Sequence, residues 1–394
     1  MYKFLNLDNA AKLNIIYFVV FTFAIIILPF SPFFSYILFL LNLLLFSYKI
    51  NKIFLVISFI LSVFSQFYIL HSRAYVVELE FDLTNYYFAY LDLSSLSISQ
   101  VSNNSIEIGW FIIYKIIALI NKNLSIFDLA VINNLICVSI FLIWLLKYGV
   151  RNIGPEYLGF VLGLIVLFMW PNNFAFFQRQ SISVAILLFA ISNIKNQKYF
   201  LFFLILSSFF HITSLIMGLV YYVIVNYNFN HFVLKTILIL GVVRISFETL
   251  LIYLFSVVEI PDLSRKISFY AENHNGFFLA FSEIRYFPLF VFIFLFYNNI
   301  ESEWRRIIIF SALFYLSLLG IQFASGRFNF ILIYLYGYFL WIVTKSRPYI
   351  LLIFALSYFI FDVIYKSGYI FYINDTFWQR YPFFSSTPFY YLSF

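Results

Sequence analysis

Two arginines in this sequence sit where a cation is costly. Arg179 lies in Phe174-Ala175-Phe176-Phe177-Gln178-Arg179-Gln180-Ser181, between the apolar runs Tyr157–Trp170 and Ile182–Ile194. Arg327, in Ser325-Gly326-Arg327-Phe328, lies between Ile307–Phe323 and Phe328–Thr344. A guanidinium beside hydrocarbon costs roughly 2.5–3.5 kcal/mol on insertion scales, so it is normally partnered and functional. Two fixed cations at the mouths of helix pairs suit an anionic ligand such as a lipid diphosphate, whose oxygens match the planar, two-pronged donor. The competing explanation for either arginine is snorkelling, or pairing with a carboxylate. Gln178 and Gln180 flank Arg179 and would line the same site. Arg285, beside Glu283 at the start of an apolar run, is a third candidate cation, with an ordinary interfacial arginine as its alternative. Arg244 and Glu248, four residues apart inside an apolar run, suit an internal ion pair.

Three residues could act as a base. His211 follows Phe209-Phe210 and precedes Thr213 and Ser214. An imidazole there could accept a proton or donate to a diphosphate; a helix-turn histidine satisfied by backbone is the alternative. Asp82, in Asp82-Leu83-Thr84-Asn85-Tyr86-Tyr87, and Glu107, in Glu107-Ile108-Gly109-Trp110, could each deprotonate a hydroxyl, or be solvated loop carboxylates. HExxH, CxxC, GxxxxGK[ST] and GxGxxG are all missing, so zinc, thiol, P-loop and dinucleotide chemistry have no sequence support. No Asp-x-Asp suggests a divalent metal, so neither a metal nor another cofactor is expected, and a transferase here would use a lipid-activated donor.

The elements that position these residues are membrane spans. Apolar residues make up 64% of the chain and charged residues 10%, against about 25% charged in soluble domains. Mean hydropathy is +0.95. This describes a polytopic, all-α integral membrane protein forming one transmembrane domain over residues 1–394. The net charge of +7 belongs to scattered lysines and arginines of cytoplasmic loops, with no basic run that would point to a nucleic-acid partner. The single cysteine, Cys137, excludes an intramolecular disulfide and lies in an apolar run as a packed thiol.

Candidate spans are Leu13–Leu28, Phe33–Phe46, Ile53–Leu70, Ile126–Leu146, Leu158–Trp170, Ile182–Ile194, Ile237–Val258, Tyr286–Phe296, Ile307–Phe323, Phe328–Thr344 and Ile350–Tyr365. Lys3 and Lys12 precede the first, which reads as a retained signal anchor starting from the cytoplasm. Ile106–Asn121 contains Glu107 and Lys115; parity with Lys147 and Arg151 inside places it along the outer interface. Tyr199–Val225 has cytoplasmic lysines beyond both ends, so it folds back on itself near His211-Ile212-Thr213-Ser214. In all, about 11–13 membrane segments are expected, some short or re-entrant. The outer loops 71–125 and 259–285 contribute to the site, and the aromatic tail 366–394 lies along the outer interface. On this threading Asp82, Glu107, Arg179, His211, the 259–283 loop and Arg327 converge on one outward-facing site.

The chain resembles the Wzy/EpsG group of polysaccharide repeat-unit polymerases, which includes O-antigen polymerases. The resemblance rests on Asp82-x-x-Asn85-Tyr86-Tyr87, Glu107-x-Gly109, Arg179-Gln180, Phe210-His211-x-Thr213-Ser214, and Arg327 with Phe330 three residues on. These come in the family's order over roughly residues 80–330. Two departures touch the outer loop: Glu80-Phe81 stands where Gly-Thr would precede Asp82, and Ile108 replaces a proline. What the resemblance implies is a GT-C-like membrane glycosyltransferase of the bacterial inner membrane, facing the periplasm. It would move a growing glycan from undecaprenyl diphosphate to a sugar hydroxyl on an incoming lipid-linked repeat unit, in O-antigen or exopolysaccharide synthesis. His211, Glu107 and Asp82 would be its candidate catalytic residues and Arg179, Arg327 and Arg285 its diphosphate ligands. Gln178, Gln180, Asn85, Tyr86 and Ser214 would line the substrate. Membrane lipid, a chain-length regulator and a repeat-unit flippase are the implied partners. A lipid-linked oligosaccharide flippase, or transporter, is one rival, though it would be expected to show internal repeats and basic residues at depth from both faces. An O-antigen ligase-type transferase is the other, and shares the arginine and histidine logic.

Overall fold

The computed structural model describes residues 7–71, 82–102, 107–169, 178–226, 236–242, 286–317, 330–367 and 381–392. All regular structure among them is helical. In chain order the helices are α1 (Leu7–Ile27), α2 (Pro32–Leu41), α3 (Lys52–His71), α4 (Asp82–Ser95), α5 (Ile98–Ser102), α6 (Gly109–Ile120) and α7 (Ile126–Trp144). There follow α8 (Leu158–Phe168), α9 (Gln178–Ser192), α10 (Gln197–Ser208), α11 (Thr213–Asn226), α12 (Phe287–Phe296), α13 (Ser302–Ser317), α14 (Phe330–Thr344) and α15 (Pro348–Ser367). Of the expected span Ile237–Val258 only the helical stretch 236–242 is described, and the outer loop 259–285 lies outside the described residues.

Local chemistry sets several starts. Ser31 accepts the Phe34 N–H at 3.3 Å, and Pro32 pre-sets the first turn of α2. Ser125 and Asp128 form a reciprocal capping box at the start of α7. Asn196 caps α10 through the Tyr199 N–H. The long apolar run after Lys198 breaks at residues 209–212, dividing α10 from α11 beside His211.

The bundle is apolar outside and polar in parts of its interior, the reverse of a soluble domain. Ile15, Val19, Phe23 and Ile26 of α1, Leu119 and Ile120 of α6, Phe294 of α12 and Ile353 and Ile360 of α15 are exposed. Ser58, Ser62, Gln66, Asn133, Asn134 and Ser183 are buried. An apolar exterior of this extent is stable only in lipid or against a partner. Among the described residues, two helices could by length and composition cross a membrane unaided, Lys52–Ile69 and Ile126–Gly149, and the other apolar helices described are shorter.

At the centre, every residue of α8 is buried, as befits a helix with no polar face. It lies against α14, and the approach is close: a Cβ added at Gly337 would stand 2.4 Å from the Leu164 carbonyl oxygen. Small residues at such crossings let backbones meet and gain packing where lipid offers no hydrophobic drive.

The two ends of the bundle are distinct. At one, Lys345 pairs with Glu301, Asn299 donates to Ser346 Oγ at 3.2 Å, and Asn193 donates to Tyr148 Oη at 2.9 Å. At the other, segment 381–392 lies on the α1–α2 turn. Ser31 Oγ donates to the Phe383 carbonyl, Ser385 N–H to Phe30 O at 3.0 Å, Phe389 N–H to Pro29 O at 2.7 Å, and Tyr391 Oη to Leu28 O at 2.7 Å. Tyr391 also meets the Tyr68 ring at 4.8 Å near the end of α3, and Tyr68 lies within reach of the Asp128 charge at the start of α7. The tail and the 107–128 segment therefore share an end.

Two outcomes are expected. Cysteines placed at the exposed positions Asn123 and Ser386 should react with an impermeant thiol reagent from one side of the membrane, and those at Lys195 and Ser346 only from the other; native Cys137 is buried and silent. Labelling of Ser386→Cys together with Lys195→Cys would contradict the two-ended arrangement. Separately, Gly337→Ala should destabilise the α8–α14 contact by about 1–3 kcal/mol, read as a lower unfolding temperature of the purified chain.

Candidate functional site

The site is built on two connections that bring distant segments together and on bonds within the α10–α11 turn. Gly109 N–H donates to Phe209 O at 2.9 Å, joining the start of α6 to the α10–α11 turn. A Cβ at Gly109 would stand 3.1 Å from that carbonyl and from the Phe210 ring, so a larger residue would push the two segments apart. Within the turn, Ser214 Oγ donates to His211 O at 2.8 Å and stands 3.0 Å from Ser207 Oγ. Ser183 Oγ of α9 donates to Ser207 O at 2.9 Å, fastening the turn to the helix that begins at Gln178.

These contacts set Glu107 between three donors. Its Oε2 accepts from Arg179 Nη1 at 2.8 Å. Its Oε1 pairs with His211 Nδ1 at 2.7 Å and accepts the Ile212 N–H at 3.0 Å. The Glu107 and His211 side chains are each 13% exposed, and Arg179 is 29% exposed. Burial alone would raise the Glu107 carboxyl, but the His211 bond and charge, the Arg179 charge and the Ile212 N–H outweigh it and hold the group down to about 2, from 4.5. An ionised carboxylate has no proton to give, so His211 Nδ1 carries the hydrogen and donates it. In the neutral imidazole Nε2 then keeps its lone pair.

Arg179 is gripped on other sides as well. Its Nε donates to Tyr86 Oη at 3.2 Å, and its guanidinium carbon lies 5.5 Å from the Tyr86 ring centre and 5.6 Å from that of Trp110. Tyr86 and Trp110 meet edge to face at 5.3 Å. The guanidinium is thus framed by two aromatic faces, which favour a cation, and fixed in plane by two hydrogen bonds.

Of the residues singled out in the sequence, Glu107, Arg179, His211 and Tyr86 stand together. Gln180 and Ser214 are buried nearby, Ser214 being engaged in the turn. Asn85 is exposed and points a different way round α4 from Tyr86. Gln178 is buried with neither amide atom bonded. The side chain of Asp82, and Arg285, Arg327, Arg244 and Glu248 entirely, lie outside the described residues. One contributor carried little signal in sequence: Trp110 reads as one more aromatic of an apolar helix.

The fold and site define an all-helical protein with an apolar exterior and a charged cluster at one end. The chain matches the EpsG family over residues 72–383, and it belongs to that family. This makes it a membrane protein of the polysaccharide-polymerase type, with polysaccharide biosynthesis as its field of action. No curated protein and no solved structure matches it.

Glu107 makes an acid-side prediction. A carboxyl held at about 2 when folded, against 4.5 unfolded, adds stability that is full above 4.5 and lost as pH falls through about 2. Glu107→Gln should unfold at a lower temperature than the parent chain at pH 7, the gap closing as pH approaches 2. An unchanged gap across that window would mean that the carboxylate is not held by its neighbours.

Proposed function

We propose that this chain is a membrane glycosyltransferase that polymerises lipid-linked repeat units. It moves a growing glycan from undecaprenyl diphosphate to a sugar hydroxyl of an incoming unit. The observation that supports this is the Glu107-bridged pair, with His211 on one carboxylate oxygen and Arg179 on the other, in a chain of the EpsG family. His211 Nε2 takes the proton of the acceptor hydroxyl as its oxygen attacks the anomeric carbon. The bond from that carbon to the diphosphate oxygen breaks, and the diphosphate leaves with the electron pair. Glu107, ionised and saturated with donors, is a poor base; it orients the imidazole and stabilises the imidazolium that forms.

Arg179 meets the negative charge developing on the leaving diphosphate. A preorganised cation in a water-poor site needs no rearrangement to do so. Its planar donors have two fixed directions, so the diphosphate docks on an oriented plane. Arg285 and Arg327 complete the anion cradle in this proposal, and Asp82 is the carboxylate to which suspicion passes should His211 prove dispensable. The site faces the periplasm from the bacterial inner membrane in a multi-pass, GT-C-like arrangement. A chain-length regulator and a flippase work beside it.

The measurement is glycan ladder formation normalised to the amount of chain in the membrane. Arg179→Lys should express and insert yet lose much of the ladder, and Arg179→Ala nearly all of it. His211→Ala should still bind lipid diphosphate but lose turnover. Losses of about 100-fold to 1000-fold are expected for contacts made in the transition state. Poor expression with normal activity per folded molecule would instead make Arg179 a structural ion-pair partner. Near-normal ladders from well-expressed His211→Ala would remove the imidazole from the mechanism.

A further inference from the structure

Beneath the Glu107 cluster lie polar groups that the transfer mechanism does not use. Among the described side chains, Asn134 and Gln178 alone have both amide atoms buried and without a hydrogen-bond partner. Asn134 is 0% exposed and Gln178 2%. A buried, unmet donor or acceptor costs about 1–3 kcal/mol, so four such atoms call for an explanation.

The two residues stand at one level on neighbouring helices. Trp144 Nε1 of α7 donates to Leu188 O of α9 at 3.0 Å, a separation of 44 residues. One step up the bundle, Tyr334 Oη donates to Ser181 O at 3.0 Å and also bonds the Cys137 thiol. Cys137 and Ser181 are related by the same offset, so α7 and α9 run parallel in constant register. That register pairs Asn134 with Gln178, about one turn nearer the site and next in sequence to Arg179. From α6, the Tyr114 hydroxyl and the Trp110 indole N–H are likewise buried and unbonded. Tyr114 lies within reach of both Arg179 and Cys137, and the Trp110 ring faces the guanidinium.

We propose that Asn134 and Gln178 form a subsite for an uncharged, hydroxyl-bearing sugar ring, adjoining the cation that takes the diphosphate. The inference rests on the reading of Arg179 as a diphosphate ligand only for which part of the substrate lies here. A carboxamide offers a donor pair and an acceptor without charge, and a sugar hydroxyl is itself both donor and acceptor. Two carboxamides at one level on neighbouring helices, with an indole N–H and a phenol hydroxyl from α6, match a ring carrying several hydroxyls. A charged ligand would have left its counter-charge among them, and these four groups carry none. Ligand sites have this make-up, apolar and aromatic walls with a few convergent polar atoms.

The test uses the full purified chain in nanodiscs, followed by thermal unfolding. The probes are inorganic pyrophosphate and the neutral methyl glycosides of glucose, galactose, rhamnose and N-acetylglucosamine. The variants are Asn134→Leu and Gln178→Met. Replacing an unbonded buried polar group by an apolar one of like shape is near neutral for folding, so both should remain folded. At least one glycoside should raise the unfolding temperature of the parent chain. Each variant should bind it at least tenfold more weakly while keeping the pyrophosphate shift. No glycoside shift in the parent chain overturns the proposal, and so does an equal shift in the variants, which would mean that the amides hold only water. A glycoside shift that depends on Asn134 and Gln178 without any pyrophosphate shift upholds the subsite and counts against the diphosphate reading instead.

Discussion

One carboxylate, Glu107, holds the functional end of this molecule together. It sits at the mouth of α6 and accepts hydrogen bonds from α9 through Arg179 and from the α10–α11 turn through His211 and Ile212. Three segments far apart in sequence thus meet on two oxygen atoms. Removing one partner of a fully buried pair costs about 3–5 kcal/mol; here the cost is smaller, because Arg179 is 29% exposed and its charge is partly screened by solvent. The same contact that neutralises Arg179 also fixes which imidazole nitrogen carries the proton. Charge balance and catalytic geometry are therefore one constraint.

The architecture around that contact follows from having lipid as solvent. Short apolar helices cannot bury their ends alone, so they associate through small residues and backbone bonds, as at Gly337 against α8 and Gly109 against Phe209. The polar side chains are moved inward, where they fasten turns. Ser183, Ser207 and Ser214 spend their hydroxyls on the α9–α10–α11 junction. The His211 turn is held to α9 and α10 by that serine set.

Much of this was legible before the structure. The apolar runs Ile53–Leu70 and Phe328–Thr344 became α3 and α14 with small shifts at their ends, because length and hydropathy decide a membrane helix. The fold-back expected near His211 is the break between α10 and α11, since a run that long with lysines beyond both ends cannot be one span. Glu107, Arg179 and His211 each stood out by type and setting, but as separate candidates. Their mutual bonding was not legible, because it depends on the Gly109–Phe209 approach, which no local pattern encodes. The alternative that Arg179 pairs with a carboxylate describes its contact with Glu107. The aromatic frame of Trp110 was hidden because an indole in an apolar helix looks like packing.

The tail on the α1–α2 turn bears on how the chain is made. Tyr391 reaches Leu28 across 363 residues of sequence, and Ser31 reaches Phe383 across 352. Helices leave the ribosome and enter the membrane in order, so the α1–α2 turn waits until Phe383 and Tyr391 have been made for the segment that covers it. Contacts this distant in sequence form late and slowly. Until then the Leu28, Pro29 and Phe30 carbonyls lack the donors that the tail brings to them. Seating residues 381–392 on the α1–α2 turn is therefore a late step of folding relative to the helices that it covers.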